Sequence, residues 1–452
     1  MTDTPSNPFP ADAVRDDFIP KEAYFSREFF ELEKANLWPK VWQIACREEE
    51  IPNVGDFVTY DILDDSIIVT RSAPDRIQAF HNVCPHRGNR LTEGCSHAKQ
   101  FTCSFHGWRF GLDGRNISVV DRKDWGDLLS DEDVRLTEVK TGSWAGFIWI
   151  NMDDGCQPLE EFLAPVIELT SKHEFEKLRY AWYRTSVVNA NWKTVAEAFN
   201  EFYHVQTTHN QMLTYTNDYS TSKAMGRHGW ISYAAENGFP LTRSPRLAPK
   251  ETDFRDLVFE YAEQMQHDLN AMYSERSYRA AQRLRTETKP GDPAAEVMGK
   301  LFQFTLEEAE KDGSGWPEGI TPDYLEQSGF DWHVFPNTIF LHPSIDAVLW
   351  YRFRPYNDDP EQCIFDIWSL ARFGPGAEPP LVRQLCDKLS DWPLIYRQDL
   401  ENIPRVQKGM KSRAFVGSRT SPIQERAVSN FHRSLRRFLE DPHAEDGQVD
   451  ER

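Results

Sequence analysis

The chain has 452 residues, of which 40% are hydrophobic and 13% aromatic, so it is long enough for two domains and can bury a sizeable core. This composition excludes an intrinsically disordered chain. The formal net charge of −20 argues against a nucleic-acid surface, because phosphate contacts require clustered Lys and Arg. No apolar run approaches the ~20 residues that a membrane span needs.

The N-terminal segment, MTDTPSNPFPADAVRDDF, has neither the basic start nor the apolar stretch of a secretory signal. We therefore expect a cytoplasmic protein. In a reducing compartment the seven cysteines are expected to be core thiols, ligands or nucleophiles rather than disulfides.

The first third of the chain changes from a helical to a β-strand pattern. Residues 23–40, AYFSREFFELEKANLWPK, predict an amphipathic helix. From Val41 to about Asn151, short β-rich runs such as DFVTYDI, SIIVTR and GFIWINM alternate with turn residues. This pattern predicts a small all-β domain of sandwich or barrel type over residues 41–155, with residues 1–40 as a helical part of the other domain.

Residues 156–440 predict an α+β domain with an antiparallel sheet and flanking helices. Helices are expected from about Trp192, over residues 254–272, near 380–411 and near 422–440. The apolar stripe of the 254–272 helix is interpreted as one face packed on a core. Residues 245–325 look like a helical insertion, which is expected either to shape substrate entry or to cover the sheet. Residues 441–452 are expected to be a disordered acidic tail.

A cysteine and histidine motif lies inside the β-rich region. The segment CPHRGNRLTEGCSHAKQFTCSFHGW contains Cys84-x-His86 and, sixteen residues later, Cys103-x2-His106. Each half offers one thiolate and one imidazole, so one iron can take both thiolates and a second iron both imidazoles. This is how a Rieske [2Fe–2S] centre is held, whereas a zinc site usually groups like ligands.

The remaining cysteines match neither half of this motif. Cys95 and His97 are interpreted as loop residues. Four further cysteines are interpreted as core thiols, namely Cys46, Cys156, Cys363 and Cys386.

A second candidate metal site begins in NEFYHVQTTH, which contains Glu201, His204 and His209. Two helical histidines with a carboxylate from elsewhere form the facial triad of non-haem Fe(II) oxygenases, which leaves coordination positions open for O₂ and substrate. The segment YRQDLENIPRVQKGM offers Asp399, with Asp391 and Glu401 as competitors. Position alone does not separate these acids from solvated surface carboxylates.

These motifs resemble the oxygenase α subunit of Rieske non-haem iron oxygenases, the ring-hydroxylating dioxygenase family, from about residue 23 to the final helix. CPHRG with CxxHGW matches the family's Rieske signature, and NWKTVAEAFNEFYHVQTTH resembles its iron helix. The resemblance implies that His204, His209 and Asp399 bind the mononuclear iron, because the family's ligand aspartate stands eight residues before a Gln, here Gln407. It also implies a helix-grip catalytic domain with the Rieske domain inserted near its N-terminus.

The family resemblance further implies a homotrimer, with or without a β subunit, in which each Rieske centre faces the mononuclear iron of the neighbouring subunit. Glu201 would then lie between His204 and a Rieske histidine, His86 or His106, of the next subunit. The chain lacks a G-x-G-x-x-G motif after a strand, so electrons are expected from a separate NAD(P)H-dependent reductase, with or without a ferredoxin.

We therefore expect a terminal oxygenase that uses O₂ to hydroxylate an aromatic or alicyclic substrate. Three departures from the family pattern are Phe105 for Tyr, Ala198 for Asn and Glu201 for Asp. The last weakens assignment as a strict dioxygenase, so a monooxygenase or an O- or N-demethylase of the same family stays open. A Rieske electron carrier without oxygenase activity is the alternative from another class.

Overall fold

The computed structural model describes residues 8–233 and 241–444. The part of the acidic tail from residue 445 onward lies outside the described residues. The chain divides into two compact units, one formed by residues 33–162 and the other by the residues before and after them. The smaller unit is thus inserted into the chain of the larger one.

The strands within the described ranges are, in chain order, β1 (Ile19–Pro20), β2 (Gln43–Arg47), β3 (Asp56–Ile62), β4 (Asp65–Ala73), β5 (Arg76–His81), β6 (Cys95–His97), β7 (Phe101–Thr102), β8 (Arg109–Phe110), β9 (Asn116–Ser118), β10 (Glu138–Trp144), β11 (Phe147–Asn151), β12 (Arg179–Val188), β13 (Ser220–Met225), β14 (His228–Tyr233), β15 (Asp331–Val334), β16 (Thr338–Leu341), β17 (Ala347–Tyr356), β18 (Asp359–Ala371), β19 (Arg383–Leu385) and β20 (Gly417–Ser418).

The α-helices within the same ranges are α1 (Arg27–Asn36), α2 (Leu159–Phe162), α3 (Ala164–Thr170), α4 (Trp192–Glu197), α5 (Val205–Thr208), α6 (Phe254–Gln264), α7 (Glu275–Glu287), α8 (Ala294–Asp312), α9 (Pro322–Ser328), α10 (Leu394–Met410) and α11 (Arg426–Glu440). A π-helical turn, Met265–Leu269, continues α6.

The inserted unit is built mainly from β-strands. Its larger sheet has the order β2-β11-β10-β5-β4-β3-β6, and a second sheet has the order β7-β8-β9. Phe80, Phe101, Trp108 and Phe110 are buried in a core between these elements. Aromatic and β-branched residues favour such a pleated, buried surface, which explains why the alternating sequence pattern identified this region.

The larger unit contains an eight-stranded sheet with the order β13-β14-β15-β16-β17-β18-β12-β19. Its neighbouring strands are antiparallel except for the parallel pair β12 and β19. Asp366 on β18 joins adjacent strands, because it accepts hydrogen bonds from Arg352 and Arg354 on β17 and from Tyr183 on β12. Helices accompany this sheet, so the prediction of an α+β fold is confirmed.

Several predicted elements differ from the observed ones. The helix predicted over residues 23–40 is the shorter α1, and the helix predicted near 380–411 begins only at Leu394, because residues 383–385 form a strand instead. Of the helix predicted over 254–272, the α-helical part ends at Gln264. The π-helical turn continues it to Leu269, and Asn270 ends it. Asn270 has a left-handed backbone with φ of 58°, which a right-handed helix cannot continue.

The insertion at residues 245–325 is helical, as predicted, and consists of α6, α7 and α8. These helices bury a small core of their own that includes Val258, Ala281, Leu284 and Val297. The stripe on α6 therefore packs on a core in part. Met265 and Leu269 are buried as well, and together with Met272 they line a cavity that is also lined by the candidate iron ligands.

Candidate active site

Two loops of the inserted unit carry the Rieske motif. One loop joins β5 to β6 and contains Cys84 and His86, and the other joins β7 to β8 and contains Cys103 and His106. Both loops turn in the same way, since the Gly88 amide donates to the Cys84 carbonyl and the Gly107 amide to the Cys103 carbonyl. Both glycines have a positive φ, near 76° and 72°, which residues with a Cβ rarely adopt. The repeated turn is what presents one Cys and one His from each loop.

The two thiols contact each other, and so do the two imidazoles. Cys84 and Cys103 are buried and belong to the unit's core, and the rings of His86 and His106 are 4.6 Å apart. The His86 ring stacks on Trp108, and its buried Nδ1 has no hydrogen-bond partner among the described residues. Two thiols and two imidazoles that converge in this way, one with an unpaired buried nitrogen, fit a [2Fe–2S] cluster.

The two thiols differ in their electrostatic surroundings. Burial raises the pKa of the Cys84 thiol to about 11, and its hydrogen bond with Cys103 contributes to the rise. Burial also opposes ionisation of Cys103, but the amides of Phe105 and His106 stabilise its thiolate and lower its pKa. Asn89 adds a contact, with Nδ2 at 3.7 Å from the Cys103 sulfur. Backbone amides are thus directed at this sulfur, which is where a bound cluster needs donors.

The other cysteines and histidines of this region take structural positions. Cys95 and His97 were expected in a loop, but they lie in β6, which pairs with β3. The His97 ring lies 3.0 Å from Asp56, a contact that holds this edge strand. Of the expected core thiols, Cys46, Cys363 and Cys386 are buried and Cys156 is half-buried. Phe105 is exposed and packs against the His106 ring at 3.9 Å.

The second site lies in the larger unit, where the continuous iron helix expected from Trp192 is interrupted. Helix α4 ends at Glu197, and the short α5 begins after His204 and ends before His209. Glu201 and His204 therefore do not share the face of one helix. The break turns both imidazoles toward Asp399, which lies on α10, about 190 residues further along the chain.

Three potential ligand atoms converge here. One donor atom each from His204, His209 and Asp399 lies within 4.8 Å of the other two. Asp399 Oδ1 is 3.0 Å from His209 Nε2 and 3.7 Å from His204 Nε2. His209 and Asp399 are buried, whereas the His204 side chain is 24% exposed. Two imidazoles and one carboxylate in this arrangement fit a mononuclear iron that keeps open positions.

Each imidazole is held by a second side chain through its other nitrogen. Glu201 Oε1 lies 2.5 Å from His204 Nδ1, and Gln398 Oε1 lies 2.8 Å from His209 Nδ1. Gln211 donates to the same Gln398 oxygen at 2.9 Å. Because carbonyl and carboxylate oxygens accept, both Nδ1 atoms carry a proton, and the Nε2 atoms are the ones through which a metal would bind.

Glu201 also changes the basicity of its partner. Burial by itself would lower the pKa of His204, but the charge and hydrogen bond of Glu201, together with the charge of Asp399, raise it to about 9. Glu201 Oε2 accepts a further hydrogen bond from the His204 amide at 3.0 Å. Glu201 thus fixes both the backbone and the ring of His204.

Helix α10 is fastened to α4 by Gln407. Its amide oxygen accepts from the Asn191 amide and the Thr194 hydroxyl, and its amide nitrogen donates to the Tyr24 carbonyl. Asp399 and Gln407 are eight residues apart and both are buried, so the same helix places the ligand and the anchor. The competing acids lie elsewhere: Asp391 caps a 3-10 turn and Glu401 is exposed.

Two adjoining cavities lie beside the triad. The smaller, of about 90 Å³, is lined by the three potential ligands, by Glu201 and Asp218, and otherwise mainly by apolar side chains that include Ala198. The larger, of about 260 Å³, is lined mainly by aromatic, Leu, Ile and Met side chains, many of them from the insertion. The linings share seven residues, namely Phe202, Met212, Thr216, Tyr233, Met265, Met272 and Leu341. The two cavities therefore adjoin along these residues, with the insertion on one side and the three potential iron ligands on the other.

Sequence reasoning missed two residues of this region. Gln398 directly precedes Asp399, and its only sequence signal was a polar side chain beside a candidate ligand. Asp331 lines the larger cavity, and its signal was an acid that opens the otherwise apolar strand DWHV. Neither role can be recognised until the elements have packed.

Comparisons with known proteins identify two domains in the chain. The family model described as "Ring hydroxylating alpha subunit (catalytic domain)" matches residues 174–441, which is more than half of the chain. The model described as "Rieske [2Fe-2S] domain" matches residues 41–125. Among the described residues, no helix is long and apolar enough to cross a membrane.

Curated relatives match part of the chain. The carnitine monooxygenase oxygenase subunit of Escherichia coli K12 is 35% identical over 196 residues, 42% of this chain and 52% of that protein. The methanesulfonate monooxygenase hydroxylase subunit alpha of Methylosulfonomonas methylovora is 31% identical over 269 residues, 53% of this chain and 64% of that protein. The chain thus spans about half to two thirds of the length of these relatives.

A solved structure shares the fold over nearly the whole chain. The quaternary ammonium Rieske monooxygenase CntA in complex with L-carnitine superposes with a TM-score of 0.62 at 20% identity, covering 95% of this chain and 98% of that chain. With a Rieske [2Fe–2S] domain followed by a catalytic domain of the type that binds mononuclear iron, the chain belongs to the Rieske non-haem iron oxygenases, as a ring-hydroxylating α subunit.

Proposed function

We propose that the chain is a terminal oxygenase, which uses O₂ and two electrons to hydroxylate a small organic substrate. The observation that carries this proposal is the convergence of His204, His209 and Asp399 on the wall of an apolar cavity. A metal held by these three side chains would have open positions facing that cavity. Such a centre supplies O₂ activation next to a bound substrate.

In this proposal the chain's own residues position the two metal centres. His204, His209 and Asp399 hold the mononuclear iron, while Glu201 and Gln398 keep the imidazoles in the required tautomer. Cys84, His86, Cys103 and His106 hold the [2Fe–2S] cluster, which passes one electron at a time. The apolar lining excludes water from the reacting position.

We further propose monooxygenation, with one oxygen atom entering a C–H bond and the other leaving as water. Support comes from the curated relatives, since the two described above are both monooxygenases. Hydroxylation of an aromatic or alicyclic ring is the second candidate, and the aromatic lining of the larger cavity favours it. Oxidative removal of an N- or O-methyl group is a form of monooxygenation, because it begins with hydroxylation of a methyl C–H bond.

The remaining components belong to the same proposal. A separate NAD(P)H-dependent reductase, with or without a ferredoxin, supplies the electrons. We propose a homotrimer in the cytoplasm, in which Glu201 lies between His204 and a Rieske histidine of the neighbouring subunit. The Glu201 carboxylate already contacts His204 within one chain, which supports one half of this bridge.

Metal analysis tests the proposal against an electron carrier. The oxygenase should contain about three irons and two acid-labile sulfides per chain, whereas a carrier would contain two of each. Asp399→Ala should lose about one iron per chain, keep the sulfide and form no product, because two imidazoles alone hold Fe(II) weakly. Cys84→Ser should lose the cluster.

Glu401→Gln is the matched control for Asp399→Ala, because it removes an exposed acid from the same helix. It should leave metal content and turnover unchanged. Product analysis under ¹⁸O₂ should find one labelled oxygen in the product for monooxygenation and two for dihydroxylation. Full turnover of Asp399→Ala, or zinc without sulfide in the wild type, would contradict the proposal.

A further inference from the structure

Asp331 is a buried acid without a charged partner in the described part of the chain. It opens β15 in the interior of the eight-stranded sheet and is 2% exposed. Its Oδ2 has no hydrogen-bond partner among the described residues. The side chain lines the larger cavity, in which it is the only carboxylate among the described lining residues.

Two other buried acids of the same unit are paired with arginine. Asp346 accepts from Arg276 at 2.8 Å, and Asp366 accepts from Arg352 at 2.7 Å. Buried carboxyl groups are normally paired or hydrogen-bonded, because removing them from water is costly. Asp331 therefore differs from the acids that stabilise the sheet, and the space beside it is a cavity rather than a packed side chain.

The rest of the cavity suits a cation with an apolar body. Aromatic rings surround the space, among them Tyr261, Tyr273, Trp316 and Phe330. No described residue that lines either cavity is Lys or Arg, so an anionic substrate group would find no counter-charge. Aromatic faces attract cations, and a substituted ammonium group is the organic cation that such surroundings recognise.

We propose that Asp331 is a specificity-determining residue that binds a substituted ammonium group of the substrate, while the apolar remainder points toward the side of the larger cavity that adjoins His204, His209 and Asp399. This inference rests on the proposed function, and it adds the substrate class and the residue that selects it. Cationic amines should be accepted, and carboxylates or sulfonates without a positive charge rejected.

The proposed binding has a protonation signature. Burial raises the pKa of Asp331 well above its usual value, so the surroundings of this carboxyl group favour its neutral form. The titratable groups that interact with it are the phenols of Tyr233, Tyr261 and Tyr351, whose pKa values burial raises, so they too are uncharged. A cation beside Asp331 favours the carboxylate, and binding should therefore release about one proton.

Calorimetry on the iron-loaded chain without reductant tests this inference. The probes are benzyltrimethylammonium, its neutral isostere neopentylbenzene and the anion benzenesulfonate. The wild type should bind the cation at least about tenfold more tightly than the isostere. Titrations in buffers of different ionisation enthalpy should show release of about one proton per cation bound.

Matched variants assign the effect to one carboxyl group. Asp331→Asn should lose the preference for the cation and the proton release, and Asp331→Glu should retain both. Asp323→Asn makes the same substitution at an exposed acid on α9, outside the cavity, and should behave as wild type. Iron and sulfide content confirm that each variant is folded and loaded.

Three outcomes would each overturn the inference. They are equal binding of cation and isostere by the wild type, no binding of the cation by the wild type, and an unchanged preference for the cation in Asp331→Asn. These outcomes are distinct from failure of the proposed function. Binding requires no turnover. A chain that prefers the cation but oxidises no substrate would therefore refute the proposed oxygenase function and leave the proposed role of Asp331 standing. A chain that oxidises neutral compounds without this preference refutes only the site.

Discussion

Replacing Gln398 by leucine should weaken iron binding although Gln398 is not a ligand. Its oxygen accepts from His209 Nδ1 at 2.8 Å and from Gln211 Nε2 at 2.9 Å. The bond to His209 keeps the proton on Nδ1 and leaves Nε2 free for the metal. Leucine removes the acceptor and keeps a side chain of similar size.

The expected magnitude follows from the two protonation states of His209. Without iron, the variant ring can move its proton to Nε2, which lies 3.0 Å from Asp399 Oδ1 and finds an acceptor there. With iron on Nε2 the proton must stay on Nδ1, where it is buried and unpaired. An unpaired buried donor costs about 1–3 kcal/mol, and this cost falls on the iron-bound state alone. The Kd for Fe(II) should therefore rise about 5- to 150-fold.

The assay is an Fe(II) titration of enzyme whose mononuclear iron has been removed, in competition with a chromophoric chelator. Sulfide content should stay at the wild-type value, because Gln398 lies in the other unit from the cluster loops. Gln398→Glu keeps an acceptor and should restore tight binding, and Glu401→Gln should match the wild type. A Kd for Gln398→Leu within twofold of wild type would refute the assignment of the tautomer to this hydrogen bond.

Three further predictions concern pH and anchoring. Below pH 9, iron must displace a proton from His204, so the apparent affinity of the protein for Fe(II) should fall by up to about tenfold for each pH unit of decrease. In metal titrations, Glu201→Gln should flatten this pH dependence. Gln407→Leu should lower Tm, because it removes the hydrogen bonds of Gln407 to the Asn191 amide, the Thr194 hydroxyl and the Tyr24 carbonyl, and an unpaired buried polar group costs about 1–3 kcal/mol. A Tm equal to that of wild type would contradict the anchoring role. Burial lowers the pKa of His173 to about 4, below the unfolded value near 6.5. The stability that its neutral form contributes is therefore complete above pH 6.5, and about 3 kcal/mol of it is lost as the pH falls toward 4. Urea unfolding of His173→Gln should depend less steeply on pH in this window than unfolding of wild type.

The sequence by itself identified features that depend on short separations along the chain. Cys84 with His86 and Cys103 with His106 stand within single tight turns, so their spacing already limits what they can bind. The alternating strands of the inserted unit and the helical insertion were recognised for the same reason, since strand and helix periods extend over only a few residues. The family, the α+β fold and the two kinds of metal centre followed from these patterns together with the resemblance.

The tertiary structure decided what depends on residues far apart. Asp399 and His209 are about 190 residues apart, and only the packing of α10 beside the interrupted iron helix brings them to 3.0 Å. The interruption itself is not visible in helix propensity, which is a weak prior that tertiary contacts override. Gln398 became the partner of His209 through the same packing. Asp331 can be recognised as an acid without a charged partner among the described residues only once the sheet and the insertion have enclosed a cavity beside it. Burial and hydrogen-bond pairing are properties of the folded chain, so no local pattern could have distinguished these two side chains from ordinary surface residues.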